Sequence, residues 1–193
     1  MKNVCVFCGA QPGRDPVHAQ LAAALGTAIA ARGFGLVYGG GKVGLMGIVA
    51  DAALQGGAEV IGVIPEALMD RELGHGGVTD LRIVPSMHVR KALMNDLADG
   101  FVVLPGGIGT LEEAVEIQSW AQLGIHGKGL VFLDTGDYWA PYFALLDRMA
   151  DAGFVQPQHA GLALRAHAPE AALDALANWK PPTVTRWMTQ TEA

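Results

Sequence analysis

Five short runs in this chain, at residues 4–7, 36–38, 60–64, 101–104 and 130–133, are apolar from end to end, with no polar residue at alternate positions. A strand with one face in water alternates apolar and polar side chains. Strands without that alternation are covered on both faces, as in a parallel sheet held between helices. Alanine-rich and mixed segments of helical length separate the runs, so strand and helix take turns along the chain. The reading places strands over residues 3–8, 35–38, 59–64, 81–84, 101–104, 130–133 and 162–164. Helices are expected over 16–32, 44–55, 86–98, 110–123, 138–152 and 169–179. The fold class is α/β, a Rossmann-like doubly wound parallel sheet flanked by helices on both faces. One nucleotide-binding domain is expected over residues 1–180, followed by a tail, 181–193, that starts at Pro181-Pro182 and packs on the surface or on a partner subunit. Residues 66–80, with Gly74, Gly76 and Gly77, make the one long irregular connection and are expected to form a flap.

Composition narrows the function. With 193 residues and 51% apolar content the chain can bury a substantial core. Its formal charge of −6 gives no global attraction to nucleic acid or to an anionic membrane, so an anionic ligand must be held locally. The apolar runs are far shorter than the roughly 20 residues that span a bilayer. The N-terminus enters a strand and a Cys8-Gly9 turn rather than a cleavage site, and cytoplasmic residence is expected. Cys5 and Cys8 have C-x-x-C spacing, but within a strand they point to opposite faces, and no second Cys/His pair stands at zinc spacing. They are expected to be buried apolar side chains. No metal and no cofactor is expected. His75, His126, His159 and His167 lack ligand spacing and are expected at the surface or in packing, whereas His88 lies in a cationic run where it can meet a ligand.

Ligands of an open parallel sheet bind beyond the carboxyl ends of its strands, where strand order reverses. Three glycine turns fall at such ends: the turn after Cys8 with Gly9, the triplet Gly39-Gly40-Gly41, and Gly106-Gly107-Ile108-Gly109. None is a G-x-G-x-x-G followed by an acid about 20 residues on, which argues against a dinucleotide. The third turn leads straight onto a helix start. Glycine there lets the backbone approach an anion closely and take positive φ, and the unpaired N–H groups of the helix favour a phosphate. Met87, Arg90, Lys91 and Met94 share one face of the preceding helix and bring two cations to the same rim, while Val89, Leu93 and Leu97 form another face. Beside the phosphate turn stand Glu112 and Glu113. Two roles are open for Glu113. It can act on the sugar end of a bound nucleotide, or, because Thr110-Leu111-Glu112-Glu113 matches a capping box, it can merely reach back to the N–H of Thr110.

The P-G-G-x-G-T-x-x-E pattern at Pro105 to Glu113 is one of four motifs that together resemble a known family. The others are Met-His-x-Arg-Lys at Met87 to Lys91, Val-Tyr-Gly-Gly-Gly at Val37 to Gly41, and Trp-Ala-Gln-Leu-Gly-Ile-His at Trp120 to His126. Their order and spacing are similar to the Lonely Guy family, over a span from the Cys8-Gly9 turn to about Phe154. Members of that family are cytokinin riboside 5′-monophosphate phosphoribohydrolases, and related bacterial proteins cleave AMP or other nucleoside monophosphates to free base and ribose 5-phosphate. Many relatives carry a lysine decarboxylase label. No lysine here sits in a recognisable pyridoxal-phosphate setting.

The resemblance implies Arg90 and Glu113 as the catalytic pair. It implies substrate contacts from Glu72 in the flap, from Lys91, and from the turn that runs through Gly107, Ile108, Gly109, Thr110, Leu111 and Glu112, with Ser119 further along the helix. Met87, Gly106, Gly9, Gly40 and Gly41 complete the expected binding set, since they stand on the same helix face or in the glycine turns. It also implies a homodimer. The chain departs from the family at Gln11-Pro12, where a serine-rich turn is common, at Val89, where many members are polar, at Ile108, where tyrosine is frequent, and at Ser119, where threonine often stands. The implied reaction is hydrolysis of an N-glycosidic bond, with Glu113 facing the positive charge that develops at C1′. Two other readings stay open: a nucleosidase for AMP or nucleoside monophosphates in general, and a nucleotide or molybdenum-cofactor carrier without catalysis. A carrier is expected to lack the joint Arg90 and Glu113 arrangement.

Overall fold

In the computed structural model, which describes residues 1–70, 73–182 and 189, seven parallel strands form one sheet in the order β4-β3-β2-β1-β5-β6-β7. The strands are β1 Asn3–Phe7, β2 Gly35–Tyr38, β3 Val60–Pro65, β4 Asp80–Val84, β5 Gly100–Val103, β6 Gly129–Leu133 and β7 Ala163–Ala166. The helices are α1 Pro16–Ala31, α2 Gly44–Gln55, α3 Met87–Leu97, α4 Ile108–Gln122, α5 Ala140–Asp151, the short α6 Pro157–Ala160, and α7 Pro169–Ala177, with a 3-10 turn at Glu66–Leu68. Strand order runs outward from β1 to β4 on one side and resumes beside β1 with β5, so the reversal falls between β1 and β5.

The absence of polar alternation has the expected consequence. Val4 and Val6 on one face of β1 pack into a core with α1, α2 and α7, while Cys5 and Phe7 on the other face join a core with α3, α4 and α5. Both cysteines are buried, one in each core. Burial pushes the Cys5 thiol well above its ordinary value, and the neighbouring Glu113 adds to the rise. A thiol so held is a packing group rather than a nucleophile. The close approach of α1 to α2 depends on Gly26, where a Cβ would stand 2.4 Å from the Val49 carbonyl oxygen. The two edge strands are less fully buried: Ile83 on β4 and Arg165 on β7 are exposed.

Boundaries differ from expectation where tertiary contacts override local signals. Strand β1 ends at Phe7, so Cys8 belongs to the turn. Helix α5 starts at Ala140 rather than 138, because Asp134 Oδ2 accepts the Trp139 N–H at 2.6 Å and holds the preceding loop open. Strand β7 covers Ala163–Ala166 instead of 162–164, and α6 was not expected. Trp139 is buried against Phe132, with Tyr142 stacked on the same ring, which places this aromatic group in the core. Of the tail, Pro181 lies where a Cβ on Gly127 would meet it at 3.2 Å, and the segments 183–188 and 190–193 lie outside the described residues. Among the described residues no helix is long and apolar enough to cross a membrane.

Candidate active site

A cavity of about 580 Å³ opens at the carboxyl ends of β1 and β5, where the strand order reverses, and is lined by residues of the Cys8–Arg14 turn, Gly39, and the turn from Pro105 into α4. The turn after β5 is built by close backbone approach. Gly9 N–H donates to the Pro105 carbonyl at 3.1 Å, and the Tyr138 hydroxyl donates to the Gly106 carbonyl at 2.6 Å. A Cβ on Gly106 would stand 2.2 Å from Thr110 Oγ1 and 2.8 Å from the Gly9 nitrogen. Glycine is therefore required there by space. The expectation of positive φ does not hold, since Gly106, Gly107 and Gly109 are not among the glycines in the left-handed region.

Helix α4 starts at Ile108, two residues before the expected start, with Gly107 as an N-cap that offers no side-chain acceptor. Its first backbone hydrogen bond is from Leu111 N–H to the Gly107 carbonyl at 3.1 Å. The N–H groups of Ile108, Gly109 and Thr110 therefore have no partner within the helix. Gly107, Gly109 and Thr110 line the cavity, so unpaired donors and the positive end of the helix dipole face a space in which an anion can be held. This start also disposes of the capping box. Thr110 is the third residue of the helix and Glu113 the sixth, so Glu113 does not cap the N-terminus.

Helix α3 brings the cations. Ser86 caps it by accepting the Val89 N–H, and Arg90 and Lys91 both turn inward, at 4% and 6% exposure. The Arg90 guanidinium is seated by two carbonyls: Nε donates to Val63 O at 3.1 Å and Nη2 to Gly39 O at 2.9 Å, with Met87 Sδ 3.7 Å from Nη1. Nη1 lies 3.7 Å from Glu113 Oε1, and both side chains are almost fully buried. Lys91 is engaged otherwise: Nζ lies 2.5 Å from Glu112 Oε1 and 3.0 Å from Glu116 Oε2. Burial alone would lower the Lys91 pKa, but the bonds to Glu112 and Glu116 outweigh it and leave the pKa raised. The two contacts lock α3 to α4 one residue away from Arg90 and Glu113, which fixes the register of the second pair.

Of the residues singled out in the sequence, Arg90, Glu113, Met87, Gly9, Gly106, Gly107, Gly109, Thr110 and Glu112 meet around this one cavity. Others stand apart. Ile108 is 83% exposed, Leu111 packs against the core, and Lys91 faces Glu112 and Glu116 beside the cavity. Ser119 is exposed roughly 14 Å along the helix from Thr110, at the usual rise per residue. His88 is exposed outside the lining. In the glycine triplet, Gly39 lines the cavity, while Gly40 takes a φ of +79° and Gly41 bridges Gly74. Glu72 lies outside the described residues.

The lining also includes the apolar side chains of Leu45, Met46 and Leu68, together with Arg14, His18 and Tyr138. No local pattern marks these in the sequence, since each arrives from a separate element. His75 is buried and His126 partly buried, both in packing positions, each with its ring bonded on both nitrogens. Asp134, Asp137 and His167 place ligand-type atoms within 4.8 Å of one another, but Arg165 Nη2 stands 2.7 Å from Asp137 Oδ1 and supplies the countercharge.

Comparison with known proteins agrees with the geometry. A family model described as possible lysine decarboxylase matches residues 46–176. A cytokinin riboside 5′-monophosphate phosphoribohydrolase of Rhodococcoides fascians is 48% identical over 157 residues, covering 81% of this chain and 79% of the relative. A protein of the same name from Arabidopsis thaliana is 46% identical over 156 residues, 81% of this chain and 72% of the relative. Among solved structures, a molybdenum cofactor carrier protein from Chlamydomonas reinhardtii superposes with a TM-score of 0.67 at 20% identity, over 91% of this chain and 96% of that one. A molybdenum cofactor binding protein from Rippkaea orientalis gives 0.68 at 19% identity, over 92% and 96%. At that identity the two structures share the Rossmann-like fold and carry no argument about ligand.

Proposed function

We propose that this chain, which belongs to the Lonely Guy family, hydrolyses the N-glycosidic bond of nucleoside 5′-monophosphates, cytokinin ribotides among them, to free base and ribose 5-phosphate. The observation that carries the reading is the buried Arg90 and Glu113 pair, facing the same cavity as the open first turn of α4. The 5′-phosphate sits at that turn, on the N–H groups of Gly107, Gly109 and Thr110. The ribose then extends toward Arg90 and Glu113, and the base toward the apolar wall of Leu45, Met46 and Leu68.

As the base departs, positive charge spreads over C1′ and the ring oxygen. The Glu113 carboxylate stabilises that charge and accepts a proton from the incoming water, whose oxygen bonds to C1′; the departing base takes up a proton in turn. Arg90, fixed by Val63 O and Gly39 O, orients the carboxylate and the ribose without having to reorganise during the reaction. Lys91, through Glu112, keeps the cradle helix in register with α3. Residues 1–180 act as one nucleotide-binding unit. The exposed apolar side chains of Met87, Val89, Ile108 and Val115 on α3 and α4 support a homodimer built on these helices. The chemistry fits the cytoplasm, where the two buried thiols of Cys5 and Cys8 stay reduced.

The test is incubation of the purified protein with AMP, GMP, CMP and isopentenyladenosine monophosphate, with free base and ribose 5-phosphate measured by chromatography. Equimolar release of both products from at least one nucleotide is expected. Tight nucleotide binding with no release from any of the four would replace hydrolysis with the carrier reading.

A further inference from the structure

His75 is 5% exposed and lies in the connection between β3 and β4, which also carries Leu68 onto the cavity wall. Its Nε2 is 2.9 Å from Asp51 Oδ1 on α2, and the Gly77 N–H donates to its Nδ1 at 3.2 Å. Because Nδ1 accepts, the ring proton sits on Nε2 and is donated to the carboxylate. The backbone on either side is stitched to the glycine triplet. His75 N–H donates to Gly40 O at 2.9 Å, Lys42 N–H donates to Leu73 O at 3.0 Å, and Gly41 bridges Gly74. The carbonyl one residue before Gly40 is the one that holds Arg90 Nη2. The connection is thus docked on the turn that seats the guanidinium, and a side-chain pair from two distant parts of the chain secures it.

From this we infer that Asp51 and His75 are positioning residues, a clasp that holds the β3–β4 connection against the Gly39-Gly40-Gly41 turn and so closes the base-side wall of the cavity. The inference rests on the reading of the cavity as a nucleotide hydrolase site. Arg90 has an independent seat on Val63 O, so loss of the clasp loosens the wall without unseating the catalytic pair. Its effect therefore falls on substrate binding rather than on turnover. Asp51 is half exposed, which reduces the worth of its charged hydrogen bond, and a rise in KM of about fivefold follows.

Asp51→Ala and His75→Asn remove the clasp, the second keeping an acceptor near the position of Nδ1. His75→Gln keeps a donor near the position of Nε2. Arg32→Ala, which deletes the surface pair with Asp174, serves as a control for general destabilisation. Steady-state hydrolysis of AMP, or of whichever nucleotide the wild type cleaves, is read together with hydrogen exchange over residues 73–78. Asp51→Ala and His75→Asn should each raise KM about fivefold with kcat within twofold, and the double variant should be no worse than either single one. His75→Gln should restore KM. Exchange over 73–78 should quicken in the two clasp variants and not in Arg32→Ala. An unchanged KM in an active series, additive effects in the double variant, or unchanged exchange would each overturn the clasp. A wild type that releases no base from any nucleotide would instead overturn the reading of the reaction, and the exchange measurement would still decide the clasp.

Discussion

Gly39→Ala disturbs the proposed catalytic pair, Arg90 and Glu113, without deleting either member. The residue is not in the left-handed region, so alanine fits its backbone conformation. The trouble is space: the new Cβ would stand 2.1 Å from Arg90 Nη2 and 2.9 Å from Met46 Sδ. Ordinary contact requires the guanidinium to retreat by roughly 1 Å, a displacement that costs ~10²-fold in rate when it affects a positioned catalytic group. The retreat also stretches the 2.9 Å bond to Gly39 O and changes the 3.7 Å approach of Nη1 to Glu113 Oε1. A loss of ~10²-fold in kcat/KM, equivalent to about 2.7 kcal/mol of transition-state stabilisation, is expected. Base release is followed by chromatography and folding by circular dichroism. Gly161→Ala, whose Cβ would stand 3.8 Å from Gln158 O, should match the wild type in both. Folded Gly39→Ala protein with kcat/KM within twofold of wild type would refute the claim that the seat of Arg90 sets the rate.

Other consequences are as direct. Gly106→Ala drives a Cβ into Thr110 Oγ1 and the Gly9 nitrogen, and should raise KM for the nucleotide at least ~10-fold, whereas Gly161→Ala, outside the cavity lining, should stay close to wild type; steady-state kinetics on the two variants check the contrast. His126 has its pKa lowered to about 4, chiefly by burial, which outweighs the raising effect of its bond to the Ile117 carbonyl. The unfolded chain therefore binds a proton between pH 6.5 and 4 that the folded chain refuses, and stability falls as pH drops through that window, by about 3 kcal/mol from this group. Urea unfolding at pH 7 and pH 4.5 should show a smaller acid loss for His126→Gln than for the wild type, and equal losses would contradict this.

The parallel sheet was legible because burial on both faces leaves its mark in the sequence itself, as runs such as Phe101 to Leu104 with no polar interruption. The glycine turn ahead of α4 was legible too, since glycines between an apolar strand and a helix start are a local pattern. Its exact start was not. Thr110 to Glu113 satisfies a local capping signal, yet the helix begins at Ile108, an 83% exposed apolar residue at its first position, which no propensity favours. The glycine triplet announced a turn but not that Gly39 is the member pressed against Arg90, because that contact joins residues 51 positions apart. Lys91 looked like a ligand cation for the same reason: its true neighbours, Glu112 and Glu116, are on another helix. His75 gave no sign at all, since its partner Asp51 stands 24 residues earlier on α2.

The central claim is that the carboxylate of Glu113, set beside Arg90, drives cleavage of the glycosidic bond. Glu113→Gln keeps size and hydrogen-bonding capacity while removing the charge. The decisive measurement is the single-turnover rate of base release from a cleaved nucleotide by this variant, with nucleotide binding measured alongside by calorimetry. The account predicts a rate at least ~10²-fold below wild type with affinity largely retained. A variant that releases base at the wild-type rate would contradict it.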